Sequence, residues 1–89
     1  MVVDAVERSR FELAVDGAVA FSKYRRDGNV VTFIHTEVPE ALEGRGIGSA
    51  LAKGALDLVR EKGERVIPKC PFIRSYIEKH PEYRDLVVG

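Results

Sequence analysis

The stretch Val38-Pro39-Glu40-Ala41-Leu42-Glu43-Gly44-Arg45-Gly46-Ile47-Gly48-Ser49-Ala50-Leu51 decides the fold, because the apolar pattern of the chain changes period across it. Before it, Phe11, Leu13 and Val15 alternate with Arg10, Glu12 and Ala14, the period of a half-buried strand. Asp16-Gly17 supplies a tight hairpin turn, Ala18 to Tyr24 resumes as strand, and Arg26-Asp27-Gly28-Asn29 makes a second turn. Val30 to Val38 is a long β-branched and aromatic run that Pro39 stops, since proline cannot donate to a ladder. These three strands make an antiparallel meander.

After the stretch the period is helical. Ile47, Ala50, Leu51, Gly54, Ala55 and Leu58 fall on one face of a helix from Ile47 to Lys62, and Ala52, Leu56 and Val59 widen its apolar arc. Lys53, Asp57, Arg60 and Glu61 take the opposite arc, and Gly63 suits a left-handed cap. Arg65 to Cys70 reads as a short strand that pairs incompletely because of Pro68. Pro71 opens a second helix, Phe72 to Lys79, with Phe72, Ile73, Tyr76 and Ile77 inward, and His80-Pro81 ends it. The tail from Tyr83 to Val88 fits a last strand or a strap. The fold class is therefore α/β (α+β): a three-stranded antiparallel meander followed by strand, helix, strand and helix, in one domain spanning residues 1–89.

Glycines between a strand and a helix N-terminus let backbone approach a ligand, and successive N–H groups there, with the helix dipole, make an anion site. A pyrophosphate is the natural guest, with Arg45 and the Ser49 hydroxyl as supplements. No Gly-Lys-Ser/Thr closes the turn, which excludes a P-loop, and Ser49-Ala50 after Gly48 breaks a dinucleotide fingerprint. The same glycines would also serve a tight turn with close helix–sheet packing and no ligand.

The run from Val30 to Leu58, and above all Gly44-Arg45-Gly46-Ile47-Gly48-Ser49-Ala50-Leu51, resembles the core of the GCN5-related N-acetyltransferase (GNAT) superfamily. Against the superfamily pattern [Q/R]-x-x-G-x-[G/A], Gly46 and Gly48 match and Glu43 stands where glutamine or arginine is usual. The resemblance covers about two thirds of the chain and implies a truncated, minimal GNAT fold. It implies acetyl-CoA as the acetyl donor, bound through Thr36, Glu37, Val38, Glu43, Gly44, Arg45, Gly46, Ile47, Gly48 and Ser49. The pantetheine arm would run beside the strand ending at Thr36-Glu37-Val38, with the pyrophosphate at Arg45 to Ser49. The first nine residues leave no room for the opening strand and helices that usually wall the acceptor side.

Acetyl transfer to an amine needs a base, donors to the carbonyl oxygen and an acid for the departing thiolate. His35 lies on the strand leading to the turn and suits the base, with Glu37 next in line; an ordinary strand histidine is the alternative. Cys70 falls just before Pro71, at the expected N-cap of the second helix, where the helix terminus and Lys69 favour a thiolate. It would accept the acetyl group or protonate the CoA sulfur, or else serve as a small buried hydrophobe. Tyr76 is the nearest match to the superfamily's acidic tyrosine, one residue out of register, and reads more naturally as core.

Composition sets the remaining bounds. Fourteen basic residues balance 14 acidic ones; residues 1–45 hold 6 and 8, residues 46–89 hold 8 and 6. That bias of −2 and then +2 argues against nucleic acid as a partner. Cys70 is the single cysteine, so no internal disulfide forms, and two histidines give no metal site. No apolar run approaches the roughly 20 residues of a membrane span, and the first ten residues have no signal-peptide core, so a cytoplasmic protein without membrane attachment is expected. The leading function is an N-acetyltransferase acting on a primary amine of a protein or small molecule, as monomer or homodimer. A CoA-binding module without transfer is the second, and an interaction domain with an empty turn the third.

Overall fold

The computed structural model describes residues 1–89. The strands are β1 (Val3–Ala5), β2 (Arg10–Val15), β3 (Ala18–Asp27), β4 (Val30–Glu37) and β5 (Arg65–Pro68). The helices are α1 (Ile47–Glu61) and α2 (Pro71–Lys79), with single turns or short runs of 3-10 helix at Val6–Arg8, Glu40–Leu42 and Pro81–Leu86. The five strands form one sheet in the order β1-β2-β3-β4-β5. The first three junctions are antiparallel, and β5 joins β4 in parallel. A parallel pair cannot be joined by a hairpin, and α1 supplies the crossover it requires.

The meander forms where the alternation places it. Asp16 (φ 51°) and Gly17 (φ 80°) take the left-handed pair of conformations that match a two-residue hairpin to the twist of its strands. Between β3 and β4 the register slips, so that Tyr24 faces Phe33, Lys23 faces His35, and Ile34 has no partner. This bulge bends β4 just before its last turn of sequence, at the end where β5 stops. Pairing between β4 and β5 ends at Phe33↔Pro68, and one further bond runs from Cys70 N to Phe33 O (2.9 Å). Beyond it the two strands part, and the edge of β4 from Ile34 to Glu37 has no strand beside it.

One continuous core joins Phe11, Leu13, Ala20, Tyr24, Val31, Phe33 and Val66 of the sheet to both helices. Helix α1 buries Leu51, Ala52, Ala55, Leu56 and Val59, while Ala50 is exposed and Ile47 and Leu58 are half-buried. Its inward face is thus rotated from the stripe that Ile47, Ala50 and Leu58 suggested. On that side the missing side chain of Gly54 lets Val2 lie against the helix. Helix α2 buries Ile73, Tyr76 and Ile77, but Phe72 is 41% exposed and does not join them.

One part of the chain differs from the expectation, and the tail takes one of the two forms left open for it. The first nine residues do hold a strand: β1 pairs Val3 with Glu12 and Ala5 with Arg10, closing the sheet's far edge. Its polar anchor is Asp4, which accepts from Tyr24 Oη (2.6 Å), Arg26 (3.0 Å) and Lys62 (3.1 Å). The tail is a strap. Its 3-10 helix buries Tyr83 and Leu86, and Val87 makes a single parallel bridge to Val66. Tyr83 donates to Asp57 (2.7 Å), and Arg60 forks onto Asp85 (2.9 and 2.9 Å), so α1 holds the strap by its outer arc. No helix is long and apolar enough to cross a membrane.

Candidate active site

The glycine turn and the start of α2 enclose a cleft of about 250 Å³ lined by Val38, Leu42, Glu43, Gly44, Gly46, Ile47, Gly48, Ser49 and Phe72. Three glycines build it for different reasons. Gly44 (φ 79°) and Gly46 (φ 71°) are in the left-handed region that strains other residues, and Gly46 is the N-cap of α1. Gly48 is helical, but a Cβ there would lie 2.8 Å from Phe72 Cζ. Gly48 therefore lets the aromatic ring of α2 come down onto the first turn of α1.

The N-terminus of α1 has no side-chain cap and no acidic residue in its first turn. Its first backbone bond runs from Ala50 N to Gly46 O (3.1 Å), which leaves the N–H groups of Ile47, Gly48 and Ser49 without a helical acceptor. Ser49 lies inside the helix and caps nothing. Arg45 does not face the turn; its guanidinium donates to Asp16 of the β2–β3 hairpin at 2.9 Å, an exposed pair. Glu43 is one of the residues that line the cleft.

The unpaired end of β4 adjoins this cleft through Val38. Cross-strand register fixes where its side chains go. Arg10, Lys23 and His35 are neighbours on the outer face of the sheet, as are Glu12, Phe21 and Glu37. His35 Nε2 lies 3.4 Å from Glu37 Oε2, with both side chains more than half exposed. Phe11, Ser22 and Thr36 share the inner face. Cys70 caps α2 as its place before Pro71 predicted, with its sulfur turned inward and only 2% of the residue exposed. The cap is made without its side chain, so the thiol is free for another bond, and Thr36 Oγ1 lies 3.3 Å from Cys70 Sγ. Thr36 Oγ1 in turn lies 3.0 Å from Ser22 Oγ, and Ser22 is fully buried.

His35 and Cys70 are thus brought to the same opening in the sheet but onto opposite faces of it. Tyr76 is a core residue whose ring stacks on His80 (3.9 Å). Burial holds its hydroxyl above its ordinary pKa. His80 Nδ1 donates to Tyr76 O (2.8 Å), which occupies the second histidine in closing α2. Sequence reasoning missed Ser22 and Phe72 as parts of this region. Ser22 left a trace, being a polar residue at an inward position of an otherwise apolar alternation with Ala20 and Tyr24. Phe72 left none, because its spacing from Tyr76 is that of an ordinary core stripe.

A glycine turn opening an uncapped crossover helix is thus set beside a strand pair that splays after a bulge. Residues 10–86 match the family model for GCN5-related N-acetyl-transferases, and the chain belongs to that family. It is 37% identical to Protein NATD1 of Mus musculus over 79 residues, covering 84% of this chain and 71% of that one. With Protein NATD1 of Gallus gallus the identity is 44% over 52 residues, covering 58% of this chain and 47% of that one. A GCN5-like protein of Staphylococcus aureus, solved by NMR in solution, superposes over 100% of this chain and 88% of its own. The TM-score is 0.74 and the identity 29%. The minimal fold is therefore a shared form, and N-acetyl transfer is the activity of the family.

Proposed function

We propose that this chain, acting through residues 1–89 as one unit, binds acetyl-CoA and transfers its acetyl group to a primary amine. The observation that carries the reading is the cleft at the turn, where three N–H groups of an uncapped helix meet the unpaired edge of β4. A diphosphate suits the first feature, because the partial positive charge of the helix end and its free donors are both satisfied. A chain bearing amides suits the second, as an added strand would. Thr36, Glu37 and Val38 would border the pantetheine arm, and Gly44 to Ser49 the diphosphate. Arg45 is near enough in sequence to turn from Asp16 to a phosphate, since an exposed ion pair holds it weakly.

The thioester would then lie in the opening between His35 and Cys70. The acceptor amine approaches from the outer face, where His35 takes its proton and Glu37 orients the imidazole. Cys70 acts from the inner face. In the covalent route its sulfur attacks the acetyl carbonyl, the carbon–sulfur bond to CoA breaks, and the thiol proton leaves on the CoA sulfur. The amine then displaces Cys70 from the acetyl group, and the amine proton passes by His35 back to sulfur. In the direct route the thiol proton of Cys70 goes to the departing CoA thiolate while the amine attacks the thioester.

Calorimetric titration with acetyl-CoA, compared with desulfo-CoA and adenosine diphosphate, tests the binding step. Saturable binding of the CoA species supports the reading, and the absence of heat at millimolar ligand overturns it. Mass spectrometry of the protein after mixing with acetyl-CoA then tests for an acetyl adduct on the only thiol. Cys70→Ala is expected to abolish the adduct, and transfer at an unaltered rate in that variant removes Cys70 from the chemistry.

The burial of Cys70 and the presence of an acidic residue, Glu43, in the lining of the cleft favour a second reading, a CoA-binding module without transfer. Release of free CoA thiol in the presence of amines separates the two, since a module binds and does not turn over.

A further inference from the structure

Ser22, Thr36 and Cys70 form a line of side chains from β3 across β4 to the cap of α2, at the point where β4 and β5 part. The distances leave open which atom donates in each pair. The protons that each arrangement leaves without an acceptor favour one of them. Ser22 is 0% exposed, and its hydroxyl has one side-chain partner, Thr36 Oγ1. No buried side-chain oxygen or nitrogen in the protein lacks a partner. If Cys70 donated to Thr36 and Thr36 to Ser22, the Ser22 proton would be buried with no acceptor, a desolvated donor left unsatisfied; if Ser22 and Cys70 both donated to Thr36, the Thr36 proton would have no partner in the line. In the opposite sense Ser22 donates to Thr36 Oγ1, Thr36 donates to Cys70 Sγ, and every hydroxyl proton in the line is used.

From this we infer that Thr36 and Ser22 are positioning residues for Cys70. They hold its sulfur as a hydrogen-bond acceptor, with its electron pair oriented and its own proton free to face the opening. The inference rests on the reading of Cys70 as a member of the active site, and it deepens that reading. A thiol that merely filled space would need no donor. A thiol that must shed its proton gains from one, because a hydrogen bond to the charged form is stronger than to the neutral one. The same arrangement serves both routes, since in each the proton on sulfur leaves toward CoA and not toward Thr36. It also explains a polar pair at an inward position, where two apolar residues would pack without the desolvation cost.

The single cysteine makes the test direct. Protein labelled with ¹³C at the cysteine β-carbon gives one titrating signal, which needs no reagent to reach the buried sulfur. The pH midpoint of that signal is expected to move upward in Thr36→Val, the direction set by losing a hydrogen bond to the charged form. Ser22→Ala is expected to move it in the same direction by less, because Thr36 keeps its hydroxyl but loses the donor that orients it. Thr36→Ser is expected to return the midpoint to that of the unaltered protein. Midpoints unchanged in both Thr36→Val and Ser22→Ala overturn the inference. If Thr36→Val does not fold, Ser22→Ala and Thr36→Ser decide the matter, with a shift in the first and none in the second as the supporting result. The measurement is made without acetyl-CoA, so a failure to bind CoA sinks the proposed function while leaving this result to stand or fall separately.

Discussion

At the scale of single residues, the glycines of the turn are not equivalent. Gly46 has a left-handed backbone, and Gly46→Ala is expected to cost about 1–2 kcal/mol in urea unfolding. Gly48 has ordinary helical geometry, and only the far end of the exposed Phe72 ring opposes a side chain there. Gly48→Ala is therefore expected to leave stability within about 1 kcal/mol, because the gain in helix propensity offsets the displacement of the ring. Its effect should fall on ligand affinity instead, so unfolding and calorimetry together distinguish the two positions. Glu43→Gln removes a carboxylate from the cleft and is expected to tighten acetyl-CoA about two- to five-fold, the size of a single charge near a helix N-terminus. The glycines, Cys70 at its cap and the place of His35 on its strand could all be read from sequence, because each depends on neighbours in the chain. The separation of His35 and Cys70 onto opposite faces could not, since it follows from the bulge at Ile34 and from the register of β3 against β4.

At the scale of elements, one polar network ties β1 and β3 to the connection between α1 and β5. Arg26 of β3 donates to Glu64, between α1 and β5, at 2.8 and 3.2 Å. It also donates to Asp4 of β1 and to Tyr24 Oη (2.9 Å). Arg26→Met strips two largely buried carboxylates of their partner and is expected to cost roughly 2 kcal/mol or more, somewhat less than a fully buried pair. The network also sets the pH limits of the fold. Burial alone would raise the pKa of Asp4, but hydrogen bonds from Tyr24, Lys62 and Arg26 outweigh it and hold the carboxyl below its usual range. That stabilisation is present above the unfolded carboxylate pKa and is lost as pH falls through the folded one. Burial and the Asp4 carboxylate push the Tyr24 hydroxyl up to about 12, so its contribution is complete below about 10 and is lost as pH rises toward about 12. Urea midpoints measured across pH should fall at both ends. Asp4→Asn should flatten the acid limb and Tyr24→Phe the alkaline one. None of this was legible from residues one at a time, because the carboxylate partners of Arg26 stand 22 and 38 positions away. The meander and both helices were legible because their apolar periods are local. The strand β1 is only three residues long, too short to show a period, and long-range polar contacts rather than a pattern hold it in place.

At the scale of the whole molecule, binding and folding are linked. A ligand at about 100 times its dissociation constant stabilises a protein by about 2.7 kcal/mol. For a chain of 89 residues that corresponds to a rise in melting temperature on the order of 10 °C or more. Acetyl-CoA is expected to produce this shift, and adenosine diphosphate a smaller one, in a thermal melt monitored by circular dichroism. The tail belongs to the same cooperative unit. Tyr83 and Leu86 are 5% and 3% exposed, and removing residues 81–89 is expected to leave a chain with no cooperative melt. Its role stayed open at the level of sequence because a strap declares itself only through what it covers, here α1 and the edge of β5.

The parting of β4 from β5 has a consequence for exchange with solvent. Amides in the paired part of the sheet are locked by their partners and should trade hydrogen for deuterium only when the whole chain unfolds. On the last residues of β4 the amides that face the gap lack such a lock, and their protons should be lost rapidly from the free protein. A bound guest that lends carbonyl groups to that edge would complete the missing rungs and slow those few sites far more than any others. The footprint of the guest would then be written along β4 residue by residue, whether or not any acetyl group had moved.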